Sequence, residues 1–519
     1  MKKKILGILI CIFLIATAVP LAESSKNITI EPKVPNTPEK SMAGNWTEIQ
    51  KLFASDGEVL DKFGNCVSVD GDTALVGAML DDDNVWDSGS AYIFIRTGTT
   101  WMQQAKLLAL NGTSDEVFGW SVSLSDDIAL IGVHGYEHHK GTAYVFIRAG
   151  TTWTQQAQLL AFDGEEYENF GGSVSLDGDT AIIGASTDDD NGYYSGSAYV
   201  FTRTGTTWTQ QAKLLASDGA AWNGFGNSVS LDDNTALIGA YGDDDNGDGS
   251  GSAYVFTRTG TTWIQQAKLI ATDGTTYDRF GYSLSLSGDT ALIGAPESNS
   301  AYIFTLTGTT WTEQVKLITS NGAENDQFGH SVSLDANTAL IGSPGDDDNG
   351  LFSGSAYIFT HSETTWIQQE KLIASDGASE DWFGESVSLG KDTALIGASY
   401  DDDNGNDSGS VYVFSKVDLI FSIAGGFGVK IKITNNGTTD AHDVPWQLHV
   451  GGGILGRINT TVNGTIDIPA GISKNVETKM LLGLGPITIT VKVANEEKTT
   501  RGIQIFIFSI VKIPFPWIQ

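Results

Sequence analysis

The chain has 519 residues, 40% of them hydrophobic, so it can bury the cores of two or more domains and is not a disordered tail. Its 61 glycines exceed the usual share of about 7% without a collagen period, which is typical of many short strands joined by tight turns. The net charge of -33 argues against binding to nucleic-acid phosphates and favours cationic or neutral partners.

The N-terminal 22 residues have the pattern of an export signal. Three lysines precede the apolar run Ile5–Val19, and the small residues Ala16, Ala18 and Ala22 offer cleavage points. The apolar run is shorter than the roughly 20 residues that cross a membrane. We therefore predict a cleaved signal, no transmembrane span in the mature chain, and secretion or display at the cell surface. Residues 23–45 have a proline at every third position over part of their length, which predicts an extended linker.

From residue 46 to residue 416 one unit of about 55 residues recurs seven times. Phe-Gly pairs begin at Phe63, Phe118, Phe170, Phe225, Phe280, Phe328 and Phe383. A second marker is a Trp at Trp46, Trp101, Trp153, Trp208, Trp263, Trp311 and Trp366. Both series step by 55, 52, 55, 55, 48 and 55 residues, so the copies are in register.

Each copy contains four short runs with strand composition, bounded by Gly, Asp and Asn. In the fourth copy they are Trp208–Leu214, Asn227–Leu231, Ala236–Gly239 and Ala253–Thr257, and no helical period lies between them. Four antiparallel strands repeated seven times predict an all-β, seven-bladed propeller. The unpaired first run, Trp46–Leu52, is expected to supply the outer strand of the last blade, which removes the exposed edges of an open ring.

The most regular strings of the repeat are F-G-x-S-V-S-L, A-L-I-G-A and G-S-A-Y-V-F. With these strings the chain resembles the FG-GAP repeat family, the propeller repeat also found in the head of integrin α chains. The resemblance covers about 370 of the 519 residues and implies the seven-bladed fold. It does not by itself specify a function, because one fold hosts many functions.

The last segment, residues 417–519, has a different pattern and predicts an antiparallel β-sandwich of immunoglobulin-like size. Its strand-like runs and N-G turns lack any helix signal. The strings KITNNGTTDAHDVPW and IDIPAGISKNV resemble the adhesion-type sandwich modules called CARDB. The predicted strands are Val429–Thr434, Trp446–Val450, Ile487–Val493 and Ile503–Ile510, and the predicted turns are Asn436–Gly437 and Asn463–Gly464.

Strand order predicts which face of the propeller binds a partner. The turns between the first and second and between the third and fourth strands are short and monotonous. The two other sets of loops lie together on the opposite face and hold nearly all the variation, so that face is the candidate for binding.

Five of these variable loops carry the string Asp-Asp-Asp-Asn, and the fourth copy contains D-x-N-x-D-G. Clustered carboxylate, amide and hydroxyl oxygens are suitable ligands for Ca²⁺. The alternative is a solvated acidic loop with Asx turns, since integrin-type copies hold calcium between the first two strands, where this chain has tight turns. The predicted calcium ligands are Asp81, Asp83, Asp188, Asp190, Asp243, Asp244, Asn246, Asp248, Asp346, Asp348, Asp401 and Asp403.

Aromatic residues are concentrated in the same loops and could stack on sugars or on peptide side chains. The alternative is that they pack between neighbouring loops. Besides Tyr136, the predicted ligand-contacting residues are Trp86, Tyr193, Tyr194, Trp222, Tyr241, Tyr277, Phe352, Trp382 and Tyr400.

Other chemistry-bearing residues favour structural interpretations. His138 and His139 are adjacent, so a strand would direct them to opposite faces, and further zinc ligands are not identifiable. Cys66 is the one cysteine outside the signal and stands where the other copies have Ser, so we interpret it as a small strand residue. No catalytic residue is predicted.

The sequence thus favours a secreted or surface-displayed, monomeric, non-enzymatic adhesion or recognition protein that binds a protein or glycan through one propeller face. Several N-x-S/T sequons are compatible with export and glycosylation. Two alternatives stay open. One is an extracellular propeller enzyme, a polysaccharide lyase or glycosidase; the other is a purely structural component of an envelope or matrix.

Overall fold

The computed structural model describes the seven repeats and most of the C-terminal segment. Residues 1–45, with the predicted signal and linker, lie outside the description, as do Tyr136, His138, His139 and the Asn436–Gly437 turn. Within the described part, no helix is long and apolar enough to span a membrane. The described residues are 46–83, 85–110, 112–114, 116–134, 140–323, 325–362, 365–417, 419–425, 429–435, 441–452, 458–477, 483–493, 496–506 and 508–511.

The repeats form seven four-stranded antiparallel sheets, which are the blades of a propeller, numbered 1 to 7 in the order of their Phe-Gly pairs. The first strands are Phe63–Asp70, Phe118–Ser125, Phe170–Asp177, Val229–Asp232, Leu284–Ser287, Val332–Asp335 and Ser386–Leu389. The second strands are Thr73–Ala78, Ile128–Val133, Thr180–Ala185, Thr235–Ala240, Thr290–Ala295, Thr338–Ser343 and Thr393–Ala398. The third strands are Ser90–Thr97, Thr142–Ala149, Ser197–Thr204, Ser252–Thr259, Ser300–Thr307, Ser355–Ser362 and Ser410–Lys416. The fourth strands are Thr100–Leu107, Thr152–Leu159, Thr207–Leu214, Thr262–Leu269, Thr310–Leu317, Thr365–Leu372 and Trp46–Leu52.

The hydrophobic core lies between neighbouring blades. The second strands are buried along almost their whole length, because one face packs on the preceding blade and the other on the following blade. Between blades 3 and 4, for example, Phe225, Tyr254 and Phe256 of blade 4 pack with Ile182 and Val200 of blade 3. Each blade thus supplies one wall of two cores, and no blade can bury its apolar faces alone.

The glycine of the Phe-Gly pair is required by a close approach between blades. Gly226 has a φ of +90°, and a Cβ atom there would lie 2.2 Å from the Ser197 carbonyl oxygen of the preceding blade. A Cβ on Gly184 would in turn lie 1.9 Å from the Gly226 carbonyl oxygen. Any side chain at these positions would force the backbones of two blades apart.

Two closed rings of hydrogen bonds connect the seven first strands. In one ring a hydroxyl near the start of each first strand donates to the Phe-Gly carbonyl of the next blade, as Ser173 Oγ does to Gly226 O at 2.8 Å. Cys66 takes this position in blade 1, and its Sγ donates to Gly119 O at 3.0 Å. In the other ring a serine hydroxyl accepts from a backbone N–H of the next blade, as Ser175 does from Leu231 at 3.0 Å. Cys66 is therefore a small strand residue that replaces Ser, as predicted.

Blade 7 is completed by the N-terminal strand, as the sequence predicted. Strand Trp46–Leu52 pairs antiparallel with Ser410–Lys416, starting at the pair Trp46 and Lys416. Trp46 and Leu52 are buried against blades 6 and 7 and against blades 7 and 1, respectively. The described repeats therefore form a closed all-β ring.

The C-terminal segment forms two antiparallel sheets around one core. The three-stranded sheet contains Leu419–Gly425, Val429–Asn435 and Ser473–Glu477. The five-stranded sheet contains Ala441–Gly452, Ile458–Ile468, Gly483–Val493, Glu496–Phe506 and Phe508–Val511. Ile431 and Ile433 from one sheet pack with Leu448, Ile489 and Val491 from the other.

One predicted turn of this segment is wrong. Asn463–Gly464 lies inside strand Ile458–Ile468, opposite Gln447 and Trp446 of the neighbouring strand. A Cβ on Gly464 would touch the Trp446 indole at 3.4 Å, so the glycine leaves room for a cross-strand indole instead of forming a turn. The neighbouring tryptophan, and not the turn preference of the dipeptide, explains the glycine.

Candidate binding face

The loops predicted to share one face are hydrogen-bonded to each other. We call this surface the loop face; it consists of the loops between second and third strands and the loops that lead into first strands. Between blades 3 and 4, the backbone N–H groups of Trp222, Gly224 and Phe225 donate to the carbonyls of Tyr193, Tyr194 and Ser195 at 2.8 to 3.1 Å. Similar bonds join blades 7 and 1, 4 and 5, and 6 and 7. The loop face is therefore held by backbone contacts between adjacent blades.

Several aromatic residues of the loop face have left-handed backbone conformations. The φ angles are 57° at Tyr194, 72° at Trp222, 66° at Tyr277, 53° at Phe352 and 57° at Trp382. A bulky residue at positive φ costs of order 1–3 kcal/mol, whereas glycine adopts this conformation readily.

Blade 4 has glycine at two of these repeat positions. Gly249 stands in blade 4 where blades 3 and 6 have Tyr194 and Phe352, and Gly224 stands where blade 7 has Trp382. The aromatic side chains are thus present at positions where backbone geometry alone favours glycine. Other copies adopt the same left-handed conformation with non-aromatic residues, such as Glu380 (φ 73°) at the position of Trp222 and Asp407 (φ 54°) at the position of Tyr194. The conformation therefore belongs to the repeat and does not by itself assign a role to the rings.

Three of the predicted aromatic residues form one cluster between blades 3 and 4, which we call the first aromatic cluster. The rings of Tyr193 and Tyr194 stack at 4.1 Å, and Trp222 meets them edge-on at 4.8 and 5.0 Å. Tyr193 is 51% exposed and Trp222 is 62% exposed, although they contact each other. The cluster is therefore a preformed apolar surface open to solvent.

Three others form the second aromatic cluster, where blades 6, 7 and 1 meet. Trp382 stacks on Tyr400 at 5.2 Å and contacts Phe352 at 5.8 Å. The Lys62 ammonium lies 3.2 Å from the centre of the Tyr400 ring and 3.1 Å from an Asp407 oxygen. Loop-to-loop packing buries much of this cluster, so part of it has a structural role between neighbouring loops.

The remaining three predicted residues stay separate. Trp86 is 68% exposed in the blade 1 loop. Tyr277 is exposed, and its hydroxyl donates to an Asp248 oxygen at 2.7 Å. Tyr241 packs edge-on against Tyr282 at 6.2 Å, close to the axis of the ring.

The first Asp of each Asp-Asp-Asp-Asn string is buried and bound to a lysine. In blade 3 the Lys213 ammonium lies 2.7 Å from both Asp188 and Asp190 and 3.1 Å from Asp163 of the loop that follows the preceding blade. The Asp188 carboxylate also accepts from the hydroxyls of Ser197 and Tyr199 at 3.0 Å. We call this arrangement a lysine-centred triad.

The same triad recurs in all five loops that carry the string. The first and third aspartates contact one lysine ammonium at 2.5 to 3.0 Å. Burial opposes the charge, but the carboxylates raise the pKa of each of these lysines above its ordinary value, so the ammonium stays charged. The central lysines are Lys106, Lys213, Lys268, Lys371 and, from the N-terminal strand, Lys51.

These residues do not fit a calcium site. Calcium needs six to eight oxygen ligands, whereas the carboxylates here converge on an ammonium group that would repel the ion. In the fourth copy, Asp244 accepts from the Gly249 N–H, Asp248 from the Tyr277 hydroxyl, and the Asn246 amide donates to Ala271 O, so these groups do not converge either. No cluster of three or more acidic, His or Cys side chains that could hold a metal occurs among the described residues. We derive no function through calcium.

The aspartate two residues before the Phe of the Phe-Gly pair has a raised pKa in blades 1 and 7. Burial raises the pKa of Asp61 and of Asp381 to about 6, and the neighbouring carboxylates of Asp81 and Asp401 add to the effect. Asp61 also accepts a hydrogen bond from the Glu58 backbone N–H, which lowers its pKa but does not cancel the rise caused by burial.

These two carboxyls predict a pH effect on stability. Because their folded-state pKa is raised, they favour the folded state below about pH 4 and lose that contribution as the pH rises through 6. The ceiling is about 3 kcal/mol for each group, at about 1.4 kcal/mol per pKa unit. We expect the double variant Asp61→Asn, Asp381→Asn to exceed the wild type in melting temperature at pH 7 and to lose that advantage at pH 4.

Asp376 provides the matched control in the same loop as Asp381. Burial opposes ionisation, but the Tyr412 hydroxyl and the Lys51 ammonium lower the pKa of Asp376 overall. Its stabilising contribution is therefore present above the unfolded pKa and lost as the pH falls. Asp376→Asn should be less stable than the wild type at pH 7, with a difference that shrinks in acid. If both variants have the same pH trend, the burial argument is wrong.

A ring of variable residues on the first strands was not predicted as part of a site. The residue that follows each Phe-Gly pair lies in or just before a first strand, and some of these residues contact the next blade: Asn227 Nδ2 donates to Tyr282 O at 2.9 Å, and His330 Nδ1 lies 3.3 Å from Glu385 O. Burial raises the pKa of Glu385, whose carboxylate accepts from the Ser399 hydroxyl. Variation at this position in an otherwise uniform first strand was the available signal. The ring consists of Asn65, Trp120, Gly172, Asn227, Tyr282, His330 and Glu385.

Comparison with known proteins addresses the repeats. A family model described as FG-GAP repeat matches residues 46–94, 101–146, 153–201, 208–256, 263–304, 311–359 and 366–414. No curated protein matches the chain significantly. A solved structure described as U3-55K is similar with a TM-score of 0.46 and 9% identity, over 70% of this chain and 98% of that one. The crystal structure of RRP9 WD40 repeats is similar with a TM-score of 0.45 and 9% identity, over 71% of this chain and 97% of that one. Likeness at this level transfers no partner or activity.

Proposed function

The chain belongs to the FG-GAP repeat family, and from this premise we propose that it is an exported recognition protein that binds its partner through the loop face. The propeller is an interaction scaffold, and the observation that carries the proposal is the first aromatic cluster. Exposed, preordered aromatic side chains supply much of the binding energy in many interfaces. Here Tyr193 and Trp222 are 51% and 62% exposed while their rings hold each other in place at 4.8 Å.

The partner we propose is an extracellular protein or glycan. Both offer apolar surfaces that fit beside Tyr193 and Trp222, and the acidic loops around the cluster favour a neutral or cationic ligand. The C-terminal two-sheet module is proposed as a CARDB-type spacer that separates the propeller from its point of attachment. We also propose that the chain is exported, that it is monomeric and that its recognition role is adhesion.

The test uses the mature chain, residues 23–519, on a combined array of glycans and cell-surface proteins. The variant Tyr193→Ala, Trp222→Ala, Trp382→Ala should lose at least about 30-fold in affinity for the ligand found, because a hot-spot residue contributes about 2 kcal/mol or more. Its melting temperature should stay close to that of the wild type, since two of the three rings are largely exposed.

The control replaces three equally exposed side chains on the fourth strands, away from the loop face. Met102, Ile264 and Ile367 are 57%, 61% and 46% exposed, and their triple alanine variant should bind as the wild type does. Equal losses in both variants, or no loss in the aromatic variant, would refute the assignment of the binding surface. No ligand on the array would favour the structural alternative.

One observation favours a second candidate, an extracellular enzyme. Glu385 has a raised pKa and lies in the ring of variable residues with His330 and Tyr282, whose ring centres are 5.2 Å apart. A carboxyl group with a raised pKa can act as a general acid. Turnover of a polysaccharide by the wild type and its loss in Glu385→Gln would establish this candidate; binding without turnover supports the recognition role.

A further inference from the structure

The face opposite the loop face contains an arginine in each of four blades, always in the same setting. We call the space that such an arginine fills, between its own blade and the preceding one, the arginine slot. Each side chain lies over the Trp of the following fourth strand, at 5.3 to 5.8 Å from the ring centre. The four arginines are Arg96, Arg148, Arg203 and Arg258.

Blade 4 shows the contacts that a filled slot makes. Arg258 Nε donates to Asn234 Oδ1 at 2.8 Å, and its Nη1 donates to Thr180 Oγ1 of blade 3 at 3.0 Å. The indole of Trp263, under the guanidinium, donates to Gln211 of blade 3 at 2.9 Å. Arg258 Nη2 also donates to the Asp233 carbonyl at 3.4 Å. An amide oxygen, a hydroxyl, a backbone carbonyl and an aromatic face thus hold the guanidinium here.

Blade 6 has the same slot without the arginine. His361 stands at the arginine position and stacks on Trp366 at 5.3 Å, while Asn337 and Thr290 stand where Asn234 and Thr180 stand in the filled slot. The imidazole is shorter than an arginine side chain. A cavity of about 420 Å³ remains, lined by Thr290, Thr305, Gln314, Asn337, His361 and Trp366. Small-molecule sites have volumes of roughly 300–1,000 Å³.

Among the described residues around this cavity, Gln314 makes a different contact from its counterpart in blade 3. Gln314 Nε2 donates to Thr312 of its own strand, although the equivalent Gln211 accepts from an indole of the next blade. Asp289 precedes Thr290 as Asp392 precedes Thr393, and in the blade 1 slot Arg96 contacts both of those residues. Blade 5 has Leu306 at the arginine position, so Asp289 receives no arginine from its own blade either.

We propose that the cavity between blades 5 and 6 binds a guanidinium group from outside the propeller. The ligand would lie beside Trp366 and His361 and donate hydrogen bonds to Asn337 and Thr290. Asp289, the residue before Thr290, would supply the carboxylate by analogy with Asp392 in the blade 1 slot. This is the donor pattern that the arginine side chain offers and that methylammonium cannot match, because the guanidinium presents a planar fork of N–H groups. The site is independent of the loop face and of the function proposed for it.

The test measures binding of N-methylguanidinium to the mature chain by saturation-transfer NMR. A ligand of this size is expected to bind with a millimolar Kd, at least about tenfold more tightly than methylammonium. His361→Arg fills the slot from within and should abolish this binding while raising the melting temperature. Arg258→His opens the equivalent slot of blade 4 and should create a second site.

Asn337→Ala gives an independent check, since it removes an exposed acceptor without adding bulk, and it should weaken binding by about tenfold. A short arginine peptide with blocked termini is compared with N-methylguanidinium: tighter binding of the peptide identifies a partner chain as the source, and equal affinity identifies a small guanidinium compound. Unchanged binding in a folded His361→Arg variant, or no saturable binding to the wild type, would overturn the proposal.

Discussion

Replacing Lys213 by methionine is expected to lower the free energy of unfolding by about 3–5 kcal/mol, because it leaves buried carboxylate charge without a partner. Asp188 is fully buried, and the ammonium that it contacts is the centre of its triad. Hydrogen bonds from Ser197 and Tyr199 remain in the variant, but neither group carries the compensating charge. Chemical denaturation of the two proteins measures the difference.

Lys316 of blade 5 is the matched control. It occupies the same position as Lys213, but the blade 5 loop is shortened to the 3-10 helix Pro296–Ser298 and lacks the aspartates. Lys316 forms an ion pair with Asp273, at 2.8 Å, and that carboxylate is 54% exposed. Its ammonium also lies 5.2 Å from the centre of the Tyr302 ring, as that of Lys213 does from the Tyr199 ring, so this contact is common to both lysines. Lys316→Met should therefore cost less than about 1 kcal/mol. Similar losses at both positions would show that the buried aspartates do not need the ammonium.

Deleting residues 46–52 is expected to prevent stable folding of the propeller. The deletion removes the fourth strand of blade 7, the buried side chains of Trp46 and Leu52, and the Lys51 ammonium bound to Asp401 at 2.8 Å. Loss of a buried Trp alone costs about 3–5 kcal/mol, and the unpaired Asp401 adds a comparable amount. The sum approaches the whole stability of a typical domain, about 5–15 kcal/mol.

The deletion can be complemented in trans. A synthetic peptide of residues 44–54 should restore a cooperative thermal transition to the chain that begins at residue 53. A peptide with Trp46→Ala and Lys51→Met should fail to do so, because it retains the backbone pairing but lacks both anchoring groups. A truncated chain that melts as the full chain does would show that ring closure contributes little.

The fold was predictable because the same strand pattern occurs seven times in the sequence. The number and order of the strands and the closing role of Trp46–Leu52 follow from the alignment of the copies, whereas the strand limits differ by one or two residues, as in Asn227–Leu231 against the observed Val229–Asp232. The lysine-centred triads could also have been predicted. In all five copies with the Asp-Asp-Asp-Asn string, a lysine precedes the leucine that ends the fourth strand, whereas the second copy has Gln158 there. Clustered carboxylates indicate a cation, but in this chain the cation is the protein's own lysine ammonium and not a metal ion.

Other features could not be predicted from the sequence. The conversion of Asn463–Gly464 from an expected turn into a strand depends on Trp446, which is a neighbour only after the sheet has formed. The separation of the loop aromatics into two clusters depends on contacts between residues such as Tyr194 and Trp222, which belong to different blades. The conformational preferences of a short segment do not include contacts that form only when the ring is assembled.

Ring closure also determines how the propeller responds to mechanical load. Trp46 and Lys416, the residues at which the chain enters and leaves the ring, face each other at one end of the same strand pair. A force that pulls these two residues apart loads the pair from its open end, so its hydrogen bonds break one after another and not together. Tension between the two ends of the propeller is therefore expected to peel strand Trp46–Leu52 from blade 7 first and at low force, and the loss of this strand then destabilises the rest of the ring.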